Sequence, residues 1–176
     1  MQNIIHNGQF YTIFEGKLFD ESQINKLFAF NYSLQKDEEV RHEKIDETGM
    51  INIYSVPKSL LGNQTPLSHR ATALIVDTLE KSKQNNAKQL HIDIQAGFFY
   101  ANIVENGRLL LSNAFSYNDS NELAYFVMAL YSKFGLDPQK NPLIVSSCET
   151  EEGKAGLDIL KDFVEISELC ELSADN

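Results

Sequence analysis

The chain has 176 residues, 43% of them hydrophobic, which suits one ordinary domain, or a small domain with a substantial appendage, and excludes general disorder. Its formal net charge of -10 at pH 7 disfavours binding to DNA or RNA. The N-terminus lacks the pattern of a signal peptide, and no stretch reaches the roughly 20 apolar residues of a membrane span. These features favour a cytoplasmic protein.

The first half of the sequence predicts a strand, a helix and a hairpin. Residues 9–15 mix aromatic and β-branched side chains, as strands do, and Asp20 is placed to cap the helix that follows. Two alternating segments, 40–46 and 50–57, stand on either side of Gly49, so we expect them to pair as a hairpin.

A longer helix is predicted from about residue 68. Its apolar residues recur with helical spacing on one face: Ala71, Leu74, Ile75, Thr78 and Leu79. The polar run KSKQNNAK that follows is typical of a linker. We therefore divide the chain into 1–85 and 86–176.

The second half predicts three consecutive antiparallel strands. Apolar and polar residues alternate from Leu90 to Gln95, and two more strands are predicted at 98–104 and 109–115. Asn106 and Gly107 separate the last two, and Asn-Gly is a strong hairpin signal because both residues tolerate a positive φ.

A helix, a short strand and a final helix complete the pattern. Gly135 and Pro138 are placed to end the first of these helices, and the strand covers 143–145. The inward face of the final helix is predicted to carry Leu157, Leu160, Phe163 and Val164. The order of the second half is therefore β-β-β-α-β-α.

This order resembles a ribonuclease-H-like unit, two of which form the actin-like ATPase fold. The stretches IYSVPKSLLG, SHRATALIVDTL, HIDIQAGFFYANIVENGRLLLSNAFSY and LYSKFGLDPQKNPLIVS are together similar to an uncharacterised bacterial family with that fold. The resemblance implies an α/β protein with mixed sheets, in which 86–176 is the second unit. It also implies that 1–85 is an incomplete first unit with its connecting helix, lacking N-terminal strands.

In active proteins of that fold, each unit contributes an Asp-x-Gly hairpin that holds Mg²⁺ and phosphate. Asp93 stands where the resemblance places the acid, but Gln95 occupies the glycine position. Gly97 follows two residues later, whereas Phe98 and Phe99 stand where a hydroxyl is expected. Phenyl rings offer no ligand to phosphate, so the pattern indicates a vestigial site.

The adenosine side of such a fold often has a Gly-Gly turn after a late strand. Here Ser146 and Ser147 take that place, and their side chains leave less room than glycine does. We therefore interpret Asp93, Gly97, Ser146 and Ser147 as the remains of a nucleotide site, and we expect no cofactor. The alternative is weak retained binding of Mg-ATP through the same residues.

Two other chemistries are weaker hypotheses. Asp93, Glu122 and Glu149 fall on elements that carry metal-binding carboxylates in ribonuclease-H-like nucleases, but the acidic chain lacks a basic surface for nucleic acid. The cysteines, Cys148 and Cys170, have no metal-type spacing and are expected to be ordinary reduced thiols.

The function that these observations favour is non-catalytic. The second half carries a group of aromatic residues between Phe98 and Tyr131, and those outside the core would form a surface for another protein. An incomplete first unit would also leave a sheet edge that favours self-association. We therefore expect a protein-binding or scaffolding module with an unidentified protein partner or with a second copy of itself.

Overall fold

The computed structural model describes residues 4–45, 48–62, 66–84 and 86–168. The chain divides into two compact units, Met1–Asp77 and Thr78–Asn176, and each is described by itself below. The boundary proposed from the polar run lies further along the chain, between residues 85 and 86. Among the described residues, no helix has the length and apolar character needed to cross a bilayer.

The first unit contains two small sheets. Its strands are β1 (Ile4–His6), β2 (Tyr11–Glu15), β3 (Glu38–Ile45), β4 (Met50–Pro57) and β5 (Leu67–His69). Strands β2, β4 and β3 form an antiparallel sheet with β4 in the centre, and β1 pairs with β5 in parallel. The hairpin predicted around Gly49 is confirmed, and Gly49 has a φ of 71°.

A short helix covers one face of the antiparallel sheet. Asp20 accepts a hydrogen bond from the backbone N–H of Ser22, which caps a single 3-10 turn before α1 (Ile24–Ala29). Phe28 of α1 is buried against Val40 and Ile53 of the sheet, and the predicted cap at Asp20 is confirmed.

The longer predicted helix is α2 (Arg70–Ser82), and the division between the units falls within it. Its predicted apolar face is confirmed, since every one of these residues is buried: Ala71, Leu74, Ile75, Thr78 and Leu79.

The second unit is a five-stranded mixed sheet with helices. Its elements are β6 (Gln89–Gln95), β7 (Phe98–Glu105), β8 (Arg108–Ser116), α3 (Ser120–Phe134), β9 (Leu143–Cys148), α4 (Glu151–Leu160) and β10 (Ile166–Glu168). The strand order is β10-β9-β6-β7-β8. Strands β6, β7 and β8 are antiparallel neighbours, while β9 is parallel to β6 and to β10. The predicted order β-β-β-α-β-α is confirmed as far as α4, and it is followed by β10, which was not predicted.

The turns of the second unit follow the residues that favour positive φ. Asn106 and Gly107 have φ values of 51° and 70°, as a tight hairpin between β7 and β8 requires. Gly135 ends α3 with a φ of 64°, and its N–H reaches back to the carbonyl of Ser132. Both turns were predicted from the sequence.

One face of this sheet packs against α3 and α4 to form the core. Leu90, Ile92 and Ile94 of β6 point into it, together with Val127 of α3 and Leu157 of α4. The predicted inward position of Phe163 is wrong, because its side chain is 54% exposed. Helix α4 ends at Leu160, so the helical spacing on which that prediction rested stops three residues earlier.

Candidate functional site

The candidate site lies at the carboxyl end of β6. Side chains alternate along this strand, so that Ile92 and Ile94 face the core while His91 and Asp93 face the opposite side of the sheet. Asp93 is nevertheless only 1% exposed. A carboxylate so completely removed from water needs hydrogen-bond donors of its own.

Two side chains supply such donors to Asp93. The amide of Gln95 donates from Nε2 to Oδ1 at 2.6 Å, and the hydroxyl of Ser147 donates from Oγ to Oδ2 at 2.9 Å. Gln95 lies on the same strand and Ser147 on the neighbouring strand β9. The two carboxylate oxygens are therefore each engaged by a neighbour from the protein itself.

An irregularity in β9 brings Ser147 to this position. Ile92 pairs with Val145, but the next residue, Asp93, pairs with Ser147, so Ser146 is an extra residue in β9. Such a β-bulge changes which side chains face a given side of the sheet. Ser146 is buried at the bulge, directly before the residue that bonds Asp93.

Gly97 lies in the turn between β6 and β7. It has a φ of 79°, and a Cβ placed there would meet no atom within 4 Å. The N–H of Tyr117 donates to the carbonyl of Gly97 at 3.0 Å, and the Tyr117 hydroxyl donates to the carbonyl of Gln95 at 2.7 Å. The turn is thus open on one side and fixed by Tyr117 on the other.

The two phenylalanines after Gly97 have different environments. Phe99 is fully buried in the core and its ring stacks on Phe115, with centroids 5.5 Å apart. Phe98 is partly exposed and meets the edge of the Tyr100 ring at 5.2 Å. Neither residue presents a polar group at the turn.

The N-terminus of α4 closes tightly on the ends of β6 and β9. Thr150 caps the helix by accepting a hydrogen bond from the N–H of Gly153 at 3.0 Å. A Cβ at Gly153 would lie 2.7 Å from Cys148 Sγ, from Ile94 Cγ2 and from Thr150 Oγ1. Glycine therefore permits this close approach of helix and strands.

The three carboxylates named in the nuclease hypothesis, Asp93, Glu122 and Glu149, do not form a metal-binding cluster. Glu122 accepts hydrogen bonds from the backbone and side-chain amides of Asn118, and its own N–H donates to Asp119, which makes it part of a helix cap. Within the described ranges, no three His, Cys, Asp or Glu side chains group as metal ligands. Cys148 is half-buried beside Thr150, and Cys170 lies outside the described residues.

Buried polar side chains that were not predicted from the sequence lie on the same side of the sheet as Asp93. Asn102 of β7 stands opposite His91 of β6, and both side chains are buried. The amide of Asn102 donates to the hydroxyl of Thr78 at 3.4 Å. The sequence feature that could have predicted them is the alternation of His91, Asp93 and Asn102 with apolar neighbours along β6 and β7.

A second polar cluster, also missed, lies in the first unit around Glu43. Its carboxylate accepts from the hydroxyl of Ser68 at 3.0 Å, from the backbone N–H of His69 at 2.9 Å and from the hydroxyl of Thr72. Asn52 donates in turn to Thr72 at 3.0 Å. Glu43 thereby satisfies donors at the start of α2, where a negative charge is favourable.

His69 is the most strongly perturbed histidine of this cluster. Its side chain is fully buried among the rings of Tyr54, Tyr11 and His6, with centroids 4.6 Å, 5.4 Å and 5.5 Å away. Burial is the main cause that lowers the pKa of His69 to about 3, and the neighbouring His6 contributes in the same direction. The imidazole is therefore neutral at pH 7, and its Nδ1 accepts from the N–H of Ala71.

A solved structure of similar shape identifies the fold. A protein of unknown function with an actin-like ATPase fold from Bacteroides thetaiotaomicron superposes with a TM-score of 0.83 at 20% identity, over 95% of this chain and 67% of that chain. An AlfA filament bound to AMPPNP covers 99% of this chain and 54% of that chain at 12% identity, with a TM-score of 0.43 that is too low to bear on the fold. The fold is actin-like, as the sequence motifs predicted.

The sequence itself gives the family. No curated protein matches the chain. The profile of a family described as "Protein of unknown function (DUF3822)" matches residues 2–166, which confirms the resemblance seen in the sequence motifs. The chain therefore belongs to the DUF3822 family of proteins of unknown function.

Proposed function

We propose that this chain is a non-catalytic, protein-binding or scaffolding module of the bacterial cytoplasm, whose actin-like hairpin no longer binds nucleotide. The observation that carries the proposal is the state of Asp93, whose carboxylate is 1% exposed and accepts from Gln95 and Ser147. An aspartate that acts through Mg²⁺ and its waters needs free oxygen lone pairs toward the ligand. Releasing either neighbour costs about 1–3 kcal/mol for each buried group left unpaired.

The residues around Asp93 support the same proposal. Gln95 fills the position where glycine would let phosphate approach the backbone, and its amide is already bonded to Asp93. Phe99 belongs to the core and Phe98 packs on Tyr100, so neither adds a donor for an anion. The side chains of this hairpin therefore pack within the protein and offer no group that would bind phosphate.

Exposed apolar side chains support the protein-binding part of the proposal. In the second unit the ring of Tyr125 is 68% exposed, and in the first unit Phe30 is 82% exposed. Aromatic residues are enriched in the contact surfaces of proteins because they remove much apolar area from water on binding. Their partner is a protein and not nucleic acid, given the net charge of -10.

Weak retained binding of Mg-ATP is the second candidate function. Open space beside Gly97 favours it, since nothing lies within 4 Å of its Cβ position. Ser147 of β9 also stands directly opposite Asp93 of β6. Under this alternative, phosphate would rest on the Gly97 turn while Ser146 and Ser147 contact the nucleoside.

A thermal-shift titration with Mg-ATP separates the two. Our proposal predicts no saturable rise in Tm beyond that caused by Mg²⁺ alone, a necessary control for so acidic a chain. A nucleotide at 100 times its Kd would stabilise the folded state by about 2.7 kcal/mol and raise Tm by roughly 5 °C or more.

The matched variant for this titration is Asp93→Asn. Asparagine keeps the shape of the side chain and an acceptor for Gln95, but it removes the charge that would act on Mg²⁺. A saturable ATP-dependent rise in the natural protein that disappears in Asp93→Asn would overturn the non-catalytic proposal and establish the retained site.

A further inference from the structure

Strand β8 forms one end of the five-stranded sheet. It pairs with β7 on one side, and the described part of the second unit places no strand beyond it. The pairing with β7 shifts at Leu110, after which the register is regular from Leu111 to Ser116. We call Leu111–Phe115 the edge segment. It contains no charged residue.

Other edge strands are short or highly charged, which is how proteins prevent unwanted pairing at a sheet edge. Strand β10 has three residues and β2 has five. Strand β3 has eight, among them Glu38, Glu39, Arg41, Glu43 and Lys44. Strand β8 has nine residues, and its single charged residue, Arg108, stands at the hairpin end. The edge segment lacks these protections.

A row of aromatic rings leads from the core to the surface beside this edge. Phe115 of the edge segment stacks on Phe99 and lies 6.1 Å from Phe126 of α3. The exposed ring of Tyr125 meets the edge of Phe126 at 5.6 Å. An added strand would therefore find apolar side chains next to it on the helix-covered face of the sheet.

We propose that two copies of this chain associate by antiparallel pairing of their edge segments about a two-fold axis at Asn113. In this register Leu111 of one copy lies opposite Phe115 of the other, and Asn113 lies opposite Asn113. Two five-stranded sheets then become one of ten strands. This inference rests on the proposed function, because it names a second copy as the partner of the binding module.

Three features of the edge segment fit a second copy. First, Leu111 and Phe115 both face the core side, so the two-fold axis pairs apolar residues with apolar residues. Second, Asn113 is half-buried, and within the described ranges its side-chain amide has no hydrogen-bond partner. Two such amides placed opposite each other at the two-fold axis each offer a donor and an acceptor to the other. Third, no charge is placed opposite a like charge, despite the net charge of -10.

Sedimentation of the full chain over a range of concentrations tests the association. We expect the average mass to rise toward that of a dimer with concentration. Asn113→Lys places two ammonium groups opposite each other at the axis, and it is expected to raise the Kd of the dimer by roughly tenfold or more. Ser132→Lys is the matched control, because it adds the same charge on an exposed position of α3 and is expected to leave the Kd unchanged.

A cysteine at the axis tests the register. In a background with Cys148→Ser and Cys170→Ser, Asn113→Cys is expected to form an intermolecular disulfide, since directly opposite Cα atoms are about 4.5–5.5 Å apart. Ala114→Cys is the control. It faces the other side of the sheet and lies opposite Ser112, so the two introduced thiols are too far apart to join. Melting temperatures of all variants show that they are folded.

The outcomes separate this inference from the proposed function. A monomer at all concentrations up to about 100 µM, or a dimer that Asn113→Lys leaves intact, overturns the pairing through the edge segment. Either result leaves the non-catalytic proposal standing if Mg-ATP causes no thermal shift. An ATP-dependent shift in a protein that also forms the Asn113→Cys disulfide overturns the non-catalytic proposal and leaves the pairing in place.

Discussion

Ser147 donates its hydroxyl to the carboxylate of Asp93 at 2.9 Å, and this hydrogen bond joins the ends of two adjacent strands. Asp93 is the residue that the resemblance to actin-like ATPases assigned to Mg²⁺ binding. In this structure its carboxylate is buried and accepts hydrogen bonds from Ser147 on the neighbouring strand and from Gln95 on its own. That arrangement leads to measurable consequences for stability.

The first prediction concerns the bond between Ser147 and Asp93. Ser147→Ala removes a donor from a buried carboxylate, so we expect the free energy of unfolding to fall by about 1–3 kcal/mol. Ser146→Ala is the control on the adjacent residue, and we expect a change below about 1 kcal/mol because no contact of its hydroxyl with Asp93 is lost. Urea denaturation of the full chain measures both. Equal losses for the two variants would contradict a specific role for Ser147.

The second prediction compares two glycines. Gly153→Ala forces a methyl group to within 2.7 Å of Cys148, Ile94 and Thr150, so we expect a loss of about 2–4 kcal/mol despite alanine's higher helix propensity. Gly97→Ala meets no atom and suffers only from its positive φ, so the expected loss is about 1 kcal/mol. Tm and urea midpoints of the two variants give the order. A Gly153→Ala protein as stable as the parent would show that α4 does not close on the strands as described.

The third prediction concerns pH and His69. Burial, aided by His6, lowers the pKa of His69 from 6.5 to about 3, so between these values only the unfolded chain binds this proton. Stability from this residue is therefore complete above pH 6.5 and is lost as the pH falls, by about 1.4 kcal/mol per pH unit. Urea denaturation at about pH 7, 6 and 5 measures how the free energy of unfolding changes with pH.

Other groups titrate in the same range, so the prediction for His69 is a difference between variants. His69→Asn keeps an acceptor for the N–H of Ala71 but removes the titrating ring, and we expect its stability to depend less on pH than that of the natural protein. His42→Asn is the matched control, because it makes the same substitution at a half-buried histidine outside the cluster. Parallel slopes for His69→Asn and the natural protein would disprove the assignment.

Much of the second unit could be predicted because its signals are local. Alternation from Leu90 to Gln95, the Asn106-Gly107 turn and the Gly135 cap each lie within a few residues of the structure that they specify. Strands β1, β5 and β10 have three residues each and are defined by partners distant in sequence. No period can be recognised in three residues, so these strands were not predicted.

The sequence predicted which residues belong to the candidate site but not which of them contact one another. Asp93 and Ser147 were both named from the sequence, yet their hydrogen bond depends on an extra residue in β9 that no local pattern indicates. The cluster around Glu43 was missed for a similar reason. Glu43 and Thr72 are 29 positions apart, and their contact exists only after β3 and α2 have come together.

The extra residue in β9 also decides which chemical groups the strand offers to each side. In a strand β9 of the same sequence without the bulge, strict alternation after Val145 would place Ser146 opposite Asp93 and turn Ser147 toward the core. The Ser147 hydroxyl would then lie among aliphatic side chains, and Cys148, which packs against the core in this structure, would turn to the opposite side of the sheet. The bulge therefore gives Ser147 and Cys148 the surroundings that suit their chemistry, a buried carboxylate for the hydroxyl and an apolar core for the thiol.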